Sequence, residues 1–79
     1  MHEISMADMN VGDKGIIICQ KSPDNIKRRL QDIGIIEGAY IKCVLISPLK
    51  DPKAYLVRGA VVAIRADDAL NIKVRLERE

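Results

Sequence analysis

The sequence predicts a mainly β fold, a small closed barrel of five short strands with one short α-helix inserted after the first strand. Three observations predict it. Short runs rich in β-branched residues are separated by tight turns. One stretch, residues 22–34, has the apolar period of a helix. Hydrophobic residues make up 48% of the chain but aromatic residues only 3%, which predicts an aliphatic core. Five strands are too few for a sandwich, and closure into a barrel removes exposed edges. We therefore expect one domain, residues 1–79.

The helix is predicted from its two ends and its apolar face. Ser22 can cap a helix that begins at Pro23, because the first helical position needs no N–H group. Three apolar residues at spacings of four and three share one face: Ile26, Leu30 and Ile33. Gly34 is predicted to end the helix in the left-handed conformation, and Gly38 marks the turn before the next strand.

The strands are predicted from the apolar runs between turn residues, and they are Lys14–Gln20, Ala39–Ser47, Lys53–Arg58, Val61–Arg65 and Ile72–Leu76. The second strand is expected to turn Ile41, Cys43 and Leu45 inward, which leaves the face that carries Lys42 to solvent. Gly59-Ala60 is predicted as the hairpin turn between the third and fourth strands.

Short connections fill the rest of the chain. Residues 5–8 and 66–71 are each predicted to form a single helical turn. Segment Pro48–Pro52 is expected to be a stiff loop, because its two prolines cannot donate to a β-ladder.

Charge and cysteine content limit the classes of partner. Thirteen basic residues against 11 acidic ones give a net charge of +2, which creates too weak a field to imply a nucleic-acid partner. The sequence contains neither an apolar run long enough to cross a bilayer nor a signal peptide, so we expect a cytoplasmic protein without direct membrane insertion. In that reducing compartment Cys19 and Cys43 are expected to be free thiols within the strands.

Candidate catalytic groups are scarce. His2 lies at a terminus, Asp67 and Asp68 are neighbours that should diverge, and the glycines match no phosphate-binding pattern. We therefore expect no enzyme activity, no cofactor and no dedicated metal site. The one compact basic cluster, Lys27–Arg29, is either a solvated helix face or a protein-docking patch.

The order of the motifs resembles the FeoA family. The motifs are Arg29-Leu30, Gly34-Ile35, Gly38, Pro48–Pro52 and Ala63-Ile64-Arg65, followed by Ala69, Ile72 and Val74. The resemblance covers about residues 11–74. It implies an SH3-like barrel and a cytoplasmic accessory protein of bacterial ferrous iron uptake. The implied partner is the cytoplasmic part of FeoB, a membrane transporter with a GTP-hydrolysing domain.

The resemblance also suggests roles for particular residues. Structural roles fit Leu30, Ile33, Gly34 and Gly38. Arg65 is expected either to pair with Asp67 or Asp68 or to contact the partner, and the pairing is the favoured alternative. Partner contacts are expected from Arg28, Arg29, Ile36, Pro48, Leu49, Asp51 and Pro52. The scarcity of aromatic residues implies an aliphatic docking surface, for which Ile35, Ile36 and Leu49 are candidates, although Ile35 could equally point inward.

Two alternative functions stay open at this point. One is a metal-responsive module similar to the SH3-like domains of iron-dependent repressors, with weak metal binding through Cys19, Cys43 or His2. The other is an RNA-binding barrel, which the small net charge and the lack of aromatic residues make the weaker choice.

Overall fold

The computed structural model describes residues 2–77, which form six strands and two short helices. The strands are β1 (His2–Ser5), β2 (Lys14–Gln20), β3 (Tyr40–Ile46), β4 (Lys53–Val57), β5 (Ala60–Ile64) and β6 (Ile72–Leu76). The helices are α1 (Asp24–Asp32) and α2 (Ala66–Ala69), and Met6–Asp8 is a 3-10 turn. All strand pairs are antiparallel, in the order β1-β6-β2-β3-β4-β5. The predicted mainly β fold with one helix after the first predicted strand is confirmed.

Strand β1 is the element that the sequence prediction lacked. Its four residues, His-Glu-Ile-Ser, pair with β6 from His2 opposite Leu76 to Ser5 opposite Lys73. The run is too short and too polar to stand out as a strand. The structure therefore has six strands where five were predicted.

Side-chain hydrogen bonds join strand β4 to the segment around the 3-10 turn. End strands β1 and β5 are not neighbours in the sheet. Instead, the Tyr55 hydroxyl of β4 donates to the Met6 carbonyl at 3.0 Å. The Lys53 Nζ donates to the carbonyls of Ala7 at 2.6 Å and Met9 at 2.7 Å. These bonds tie β4 to the turn that follows β1, so side-chain contacts close the barrel where a strand ladder does not.

The core between these strands is almost wholly aliphatic. Tyr55 is its one aromatic side chain among the described residues, and it is fully buried. The buried hydrophobic residues are Met6, Met9, Ile17, Leu30, Ile35, Ile41, Cys43, Tyr55, Val57, Ile64, Ala69, Ile72 and Val74.

Helix α1 packs on this core through Leu30, which is 2% exposed. The helix begins at Asp24 with Pro23 at the capping position, and no side chain caps it. The prediction that Ser22 caps the helix was wrong. Ser22 lies one residue before the cap, and its buried hydroxyl has no hydrogen-bond partner. Gly34 has a φ of +100°, as predicted, and ends the helix after Ile33.

A bulge between Cys43 and Leu45 interrupts the alternation of β3. One extra residue in a strand moves the following side chain to the opposite face. Leu45 was predicted to point inward, but it is 61% exposed. The turn between β4 and β5 is also one residue earlier than predicted, because Arg58 and Gly59 are the two residues with positive φ (52° and 82°). Two consecutive positive φ values are typical of a type I′ hairpin.

Candidate docking site

Helix α1 and helix α2 are joined by an ion pair. Nη2 of Arg29 lies 3.5 Å from Oδ2 of Asp68, and the Arg29 side chain is 65% exposed. An exposed pair of this length contributes little to stability. It places the Arg29 guanidinium beside α2.

The prediction that Arg65 pairs with Asp67 or Asp68 was wrong. The Asp68 carboxylate interacts with Arg29 instead. Arg65 acts through its main chain, whose carbonyl accepts the N–H groups of Asp68 at 3.0 Å and Ala69 at 2.9 Å. These bonds start α2 and leave the Arg65 side chain exposed at the end of β5.

A groove of about 340 Å³ lies between α1 and β5. Its walls are aliphatic and its rim is charged, and the lining residues are Arg29, Leu30, Ile33, Ala63, Ile64, Arg65 and Asp68. Ile33 was predicted to pack inward with Leu30, yet it is 39% exposed because it ends the helix at the groove.

The loop Pro48–Pro52 contacts the first turn of α2. Oδ1 of Asp51 accepts the N–H group of Ala66 at 2.8 Å and so caps the first turn of α2 from a distant part of the chain. Leu49 is 88% exposed, and both prolines are exposed. The loop therefore presents an apolar tip whose base is held by Asp51.

The two predicted contact regions border one helix. Arg29 touches α2 from α1, and Asp51 touches it from the loop. Arg28 is exposed but does not line the groove, and Ile36 is half-buried in the turn after α1. Ile35 is fully buried, so the inward alternative is the correct one for this residue.

A second apolar hollow was not predicted from the sequence. It has a volume of about 330 Å³ and lies on the outer face of β3 and β4, lined by Ala39, Tyr40, Lys42, Leu56, Arg58 and Gly59. The sequence alternation of β3 places Tyr40 and Lys42 on the solvent face, and this pattern could have indicated that the outer face carries apolar surface. Tyr40 is indeed 46% exposed.

Burial raises the pKa of the two titratable side chains in the core, Cys43 and Tyr55, and so favours their neutral forms. Burial raises the pKa of the Cys43 thiol, and the charge of Lys53 opposes this only in part. Burial also raises the pKa of the Tyr55 phenol, and the neighbouring Cys43 and Asp51 act in the same direction. Both cysteines are free, as predicted. Among the side chains that the structure describes, no three histidine, cysteine or acidic residues cluster closely enough to hold a metal ion.

No helix within the described part of the chain has the length and apolar character needed to span a bilayer.

The fold and the groove define a small SH3-like β domain with an aliphatic surface site. The model of the FeoA domain matches residues 4–76, and the chain therefore belongs to the FeoA family.

Three proteins illustrate the similarity. The chain is 28% identical over 71 residues to an Fe(2+) transport protein A/Fe(2+) transporter FeoB fusion protein of Porphyromonas gingivalis, and the match covers 90% of this chain but 8% of that relative. The crystal structure of an iron uptake regulatory protein (FeoA) superposes with a TM-score of 0.89 at 28% identity, covering 96% of this chain and 100% of the other. The zinc complex of Stenotrophomonas maltophilia FeoA, described as an SH3 domain protein, gives a TM-score of 0.73 at 20% identity and covers 94% of this chain and 89% of the other.

Proposed function

We propose that this chain is a cytoplasmic accessory protein of bacterial ferrous iron uptake that binds the cytoplasmic part of an FeoB-type membrane GTPase transporter. The observation that carries the proposal is the fusion protein, in which a segment similar to 90% of this chain shares one polypeptide with an FeoB transporter. Covalent linkage gives two modules a high effective concentration toward each other, an advantage only where the two bind.

Two surfaces, each with one residue in contact with α2, support a binding role. One comprises Arg28 and Arg29 of α1 with Ile36 in the turn after that helix, and the other is the loop with Pro48, Leu49, Asp51 and Pro52. A loop stiffened by proline loses little conformational entropy on binding. The exposed Leu49 side chain supplies apolar area that a partner can bury. We infer that the chain acts through such contacts, without catalysis and without a cofactor.

A pull-down tests the proposal. The tagged chain is incubated with the cytoplasmic part of the FeoB transporter from the same organism, with GDP, with a non-hydrolysable GTP analogue and without nucleotide. Retention in at least one condition is expected, together with reduced ferrous iron uptake in cells that lack this protein. Absence of retention in every condition, with normal uptake in those cells, would contradict the proposal.

A metal-responsive role is the second candidate, and the zinc complex of the S. maltophilia relative is the observation that favours it. In this chain Cys43 is a poor ligand, because burial raises its pKa and a metal needs the thiolate. Cys19 is half-buried beside a small hollow that also contains Ser5 and Asn71, and it is the better candidate thiol. The His2 side chain lies outside the described residues.

Calorimetric titration with Fe(II), Mn(II) and Zn(II) separates this candidate from the first. The metal-responsive role predicts binding that weakens in Cys19→Ser and persists in Cys43→Ser. Millimolar or weaker affinity for all three metals would remove this candidate.

A further inference from the structure

Strand β5 is an end strand of the sheet with unusual composition for that position. Its sequence is Ala-Val-Val-Ala-Ile, without a charge or a proline. Proteins commonly protect edge strands with charges, prolines or short length, because an open edge can pair with another chain. The other end strand, β1, is protected in this way, because it has only four residues and carries a charged residue, Glu3. The Glu3 carboxylate lies 3.7 Å from the guanidinium of Arg75.

The register of the β4–β5 hairpin identifies the main-chain groups at the open edge. Val57 pairs with Ala60 across the two-residue turn, and such a pair is hydrogen-bonded. Hydrogen-bonded and non-hydrogen-bonded pairs alternate along an antiparallel ladder. Val62 and Ile64 therefore bond to β4, whereas Val61 and Ala63 direct their N–H and C=O groups away from it. Both of these residues are exposed, Val61 to 64%.

The groove between α1 and β5 borders this edge, since Ala63 and Ile64 belong to its lining. A strand laid along β5 would send every second side chain toward the groove, where Leu30 and Ile33 offer aliphatic contact. The edge thus has both features of strand-addition sites, namely open backbone groups and a neighbouring pocket for side chains.

Charge indicates the kind of strand that fits. Exposed arginines stand at both ends of β5, Arg58 before it and Arg65 after it. The groove adds Arg29, and its one carboxylate, Asp68, is already paired with that arginine. Two copies of β5 paired antiparallel would bring Arg58 of one copy near Arg65 of the other, and like charges destabilise such a pairing. An aliphatic segment with acidic residues at its ends is the complementary occupant.

We propose that β5 is a strand-addition site, where an extended aliphatic segment of the partner, flanked by acidic residues, pairs with Val61 and Ala63 and fills the groove beside α1. The inference rests on the proposed function for the identity of the partner, which supplies this segment from the cytoplasmic part of the FeoB-type transporter.

Substitutions at Ala63 test the backbone pairing. Proline at position 63 removes an N–H group that faces away from β4, so the hairpin ladder is kept. Ala63→Val introduces a side chain similar in size to that of proline but retains the N–H group, so it is the matched control. Affinity for the transporter's cytoplasmic part is expected to fall at least about tenfold in Ala63→Pro and to change little in Ala63→Val. Thermal unfolding of both variants verifies that they fold.

A charge-reversal pair tests the complementarity. Arg65→Glu is expected to weaken binding, whereas Lys73→Glu, a charge reversal at an exposed position of β6 away from the groove, is expected to change it little. Similar losses from both would contradict a site centred on the β5 edge.

Amide hydrogen exchange of the wild-type chain tests the site without any substitution. The amides of Val61 and Ala63 are expected to exchange quickly in the free protein and at least about tenfold more slowly in the complex. Val62, already bonded to β4, serves as the internal reference.

The remaining outcomes distinguish failure of the strand-addition site from failure of the proposed function. Binding that leaves the Val61 and Ala63 amides unprotected contradicts strand addition and leaves the proposed function intact. Protection that grows with protein concentration in the absence of the transporter identifies a second copy as the occupant and also contradicts the inference. Failure of the wild-type chain to bind contradicts the proposed function itself.

Discussion

Gly34 connects the end of α1 to strand β4, and its substitution tests that packing. A Cβ at this position would lie 3.1 Å from Cγ1 of Val57 and 3.3 Å from Cδ of Arg58, and φ is +100°. Gly34→Ala should therefore lower the free energy of unfolding by about 2–3 kcal/mol, from left-handed strain plus crowding. Chemical denaturation measures the change.

Gly38→Ala is the matched control for that variant. Gly38 has a similar φ of +86°, but nothing lies within 4 Å of its added Cβ. The strain alone should cost about 1–2 kcal/mol. Equal losses in the two variants would contradict the view that close packing on β4 requires glycine at position 34.

Lys53 connects β4 to a distant segment of the chain. Its Nζ donates to two carbonyls of the segment after β1, those of Ala7 and Met9. Lys53→Met keeps the length of the side chain but leaves both acceptors without this donor, so the free energy of unfolding should fall by about 1–3 kcal/mol. Lys73→Met, on an exposed position of β6, is the control and should stay within about 0.5 kcal/mol of wild type. A neutral Lys53→Met variant would show that the 3-10 turn does not depend on this contact.

Residue-level predictions from the sequence succeeded where the cause is local. The left-handed conformation of Gly34 follows from a helix end, and it was predicted. The pairing of Arg65 was not, because Asp68 interacts with Arg29, 39 residues away in the chain. The exposure of Leu45 likewise depends on a bulge that arises from pairing with β4.

Helix α2 is short, and its stability depends on the loop that precedes β4. Its first N–H group is accepted by the Asp51 carboxylate at 2.8 Å. Asp51→Ala removes the acceptor and should lower the free energy of unfolding by about 0.5–2 kcal/mol, as loss of a helix cap does. Asp51→Asn retains an acceptor oxygen and should lose much less.

The same two variants separate the structural role of Asp51 from a contact with the partner. Denaturation reports on the cap, and affinity for the transporter's cytoplasmic part reports on the contact. If Asp51→Asn keeps its stability but binds more weakly, the charge itself meets the partner. Unchanged stability in Asp51→Ala would contradict the capping role.

At the level of elements, periodicity was sufficient for α1 and for five strands. Strand β1 could not be predicted, because its four residues become a strand only by pairing with β6 at the far end of the sequence. The groove also escaped prediction. Its two walls, α1 and β5, are separated by about thirty residues, and nothing local in either sequence indicates that they face each other.

Alkaline pH should destabilise the whole molecule, because the core contains a tyrosine and a thiol. Burial raises the pKa of Tyr55 above its ordinary value of 10.0, so the folded state favours the protonated phenol. This contribution to stability is fully present below about pH 10 and is lost as the pH rises above it. Cys43, whose pKa is raised from 9.0, adds a loss that begins at lower pH.

Tyr55→Phe separates the two contributions. At neutral pH the variant should be less stable by about 1 kcal/mol, because the hydrogen bond to the Met6 carbonyl is lost. Its decline between neutral pH and about pH 11 should be shallower than that of the wild type, with the remainder due to Cys43. Urea unfolding at the two pH values measures both effects, and parallel declines would contradict the role of the phenol.

At the scale of the whole molecule, composition predicted an aliphatic core and the fold class, since both follow from counts and periods along the chain. The side-chain contacts that close the sheet could not be predicted from composition or periodicity. They depend on Lys53 and Tyr55 reaching the segment after β1, more than forty residues earlier in the sequence.

The central claim is that this protein acts by direct contact with the transporter's cytoplasmic part. Titration of the isotope-labelled chain with that part, followed by amide chemical shifts, tests the claim most directly. The account predicts saturable shifts concentrated on β5, the end of α1 and the loop around Leu49, with the amides of β1 little changed. Spectra that stay unchanged at every ratio, or shifts confined to β1 and β6, would contradict it.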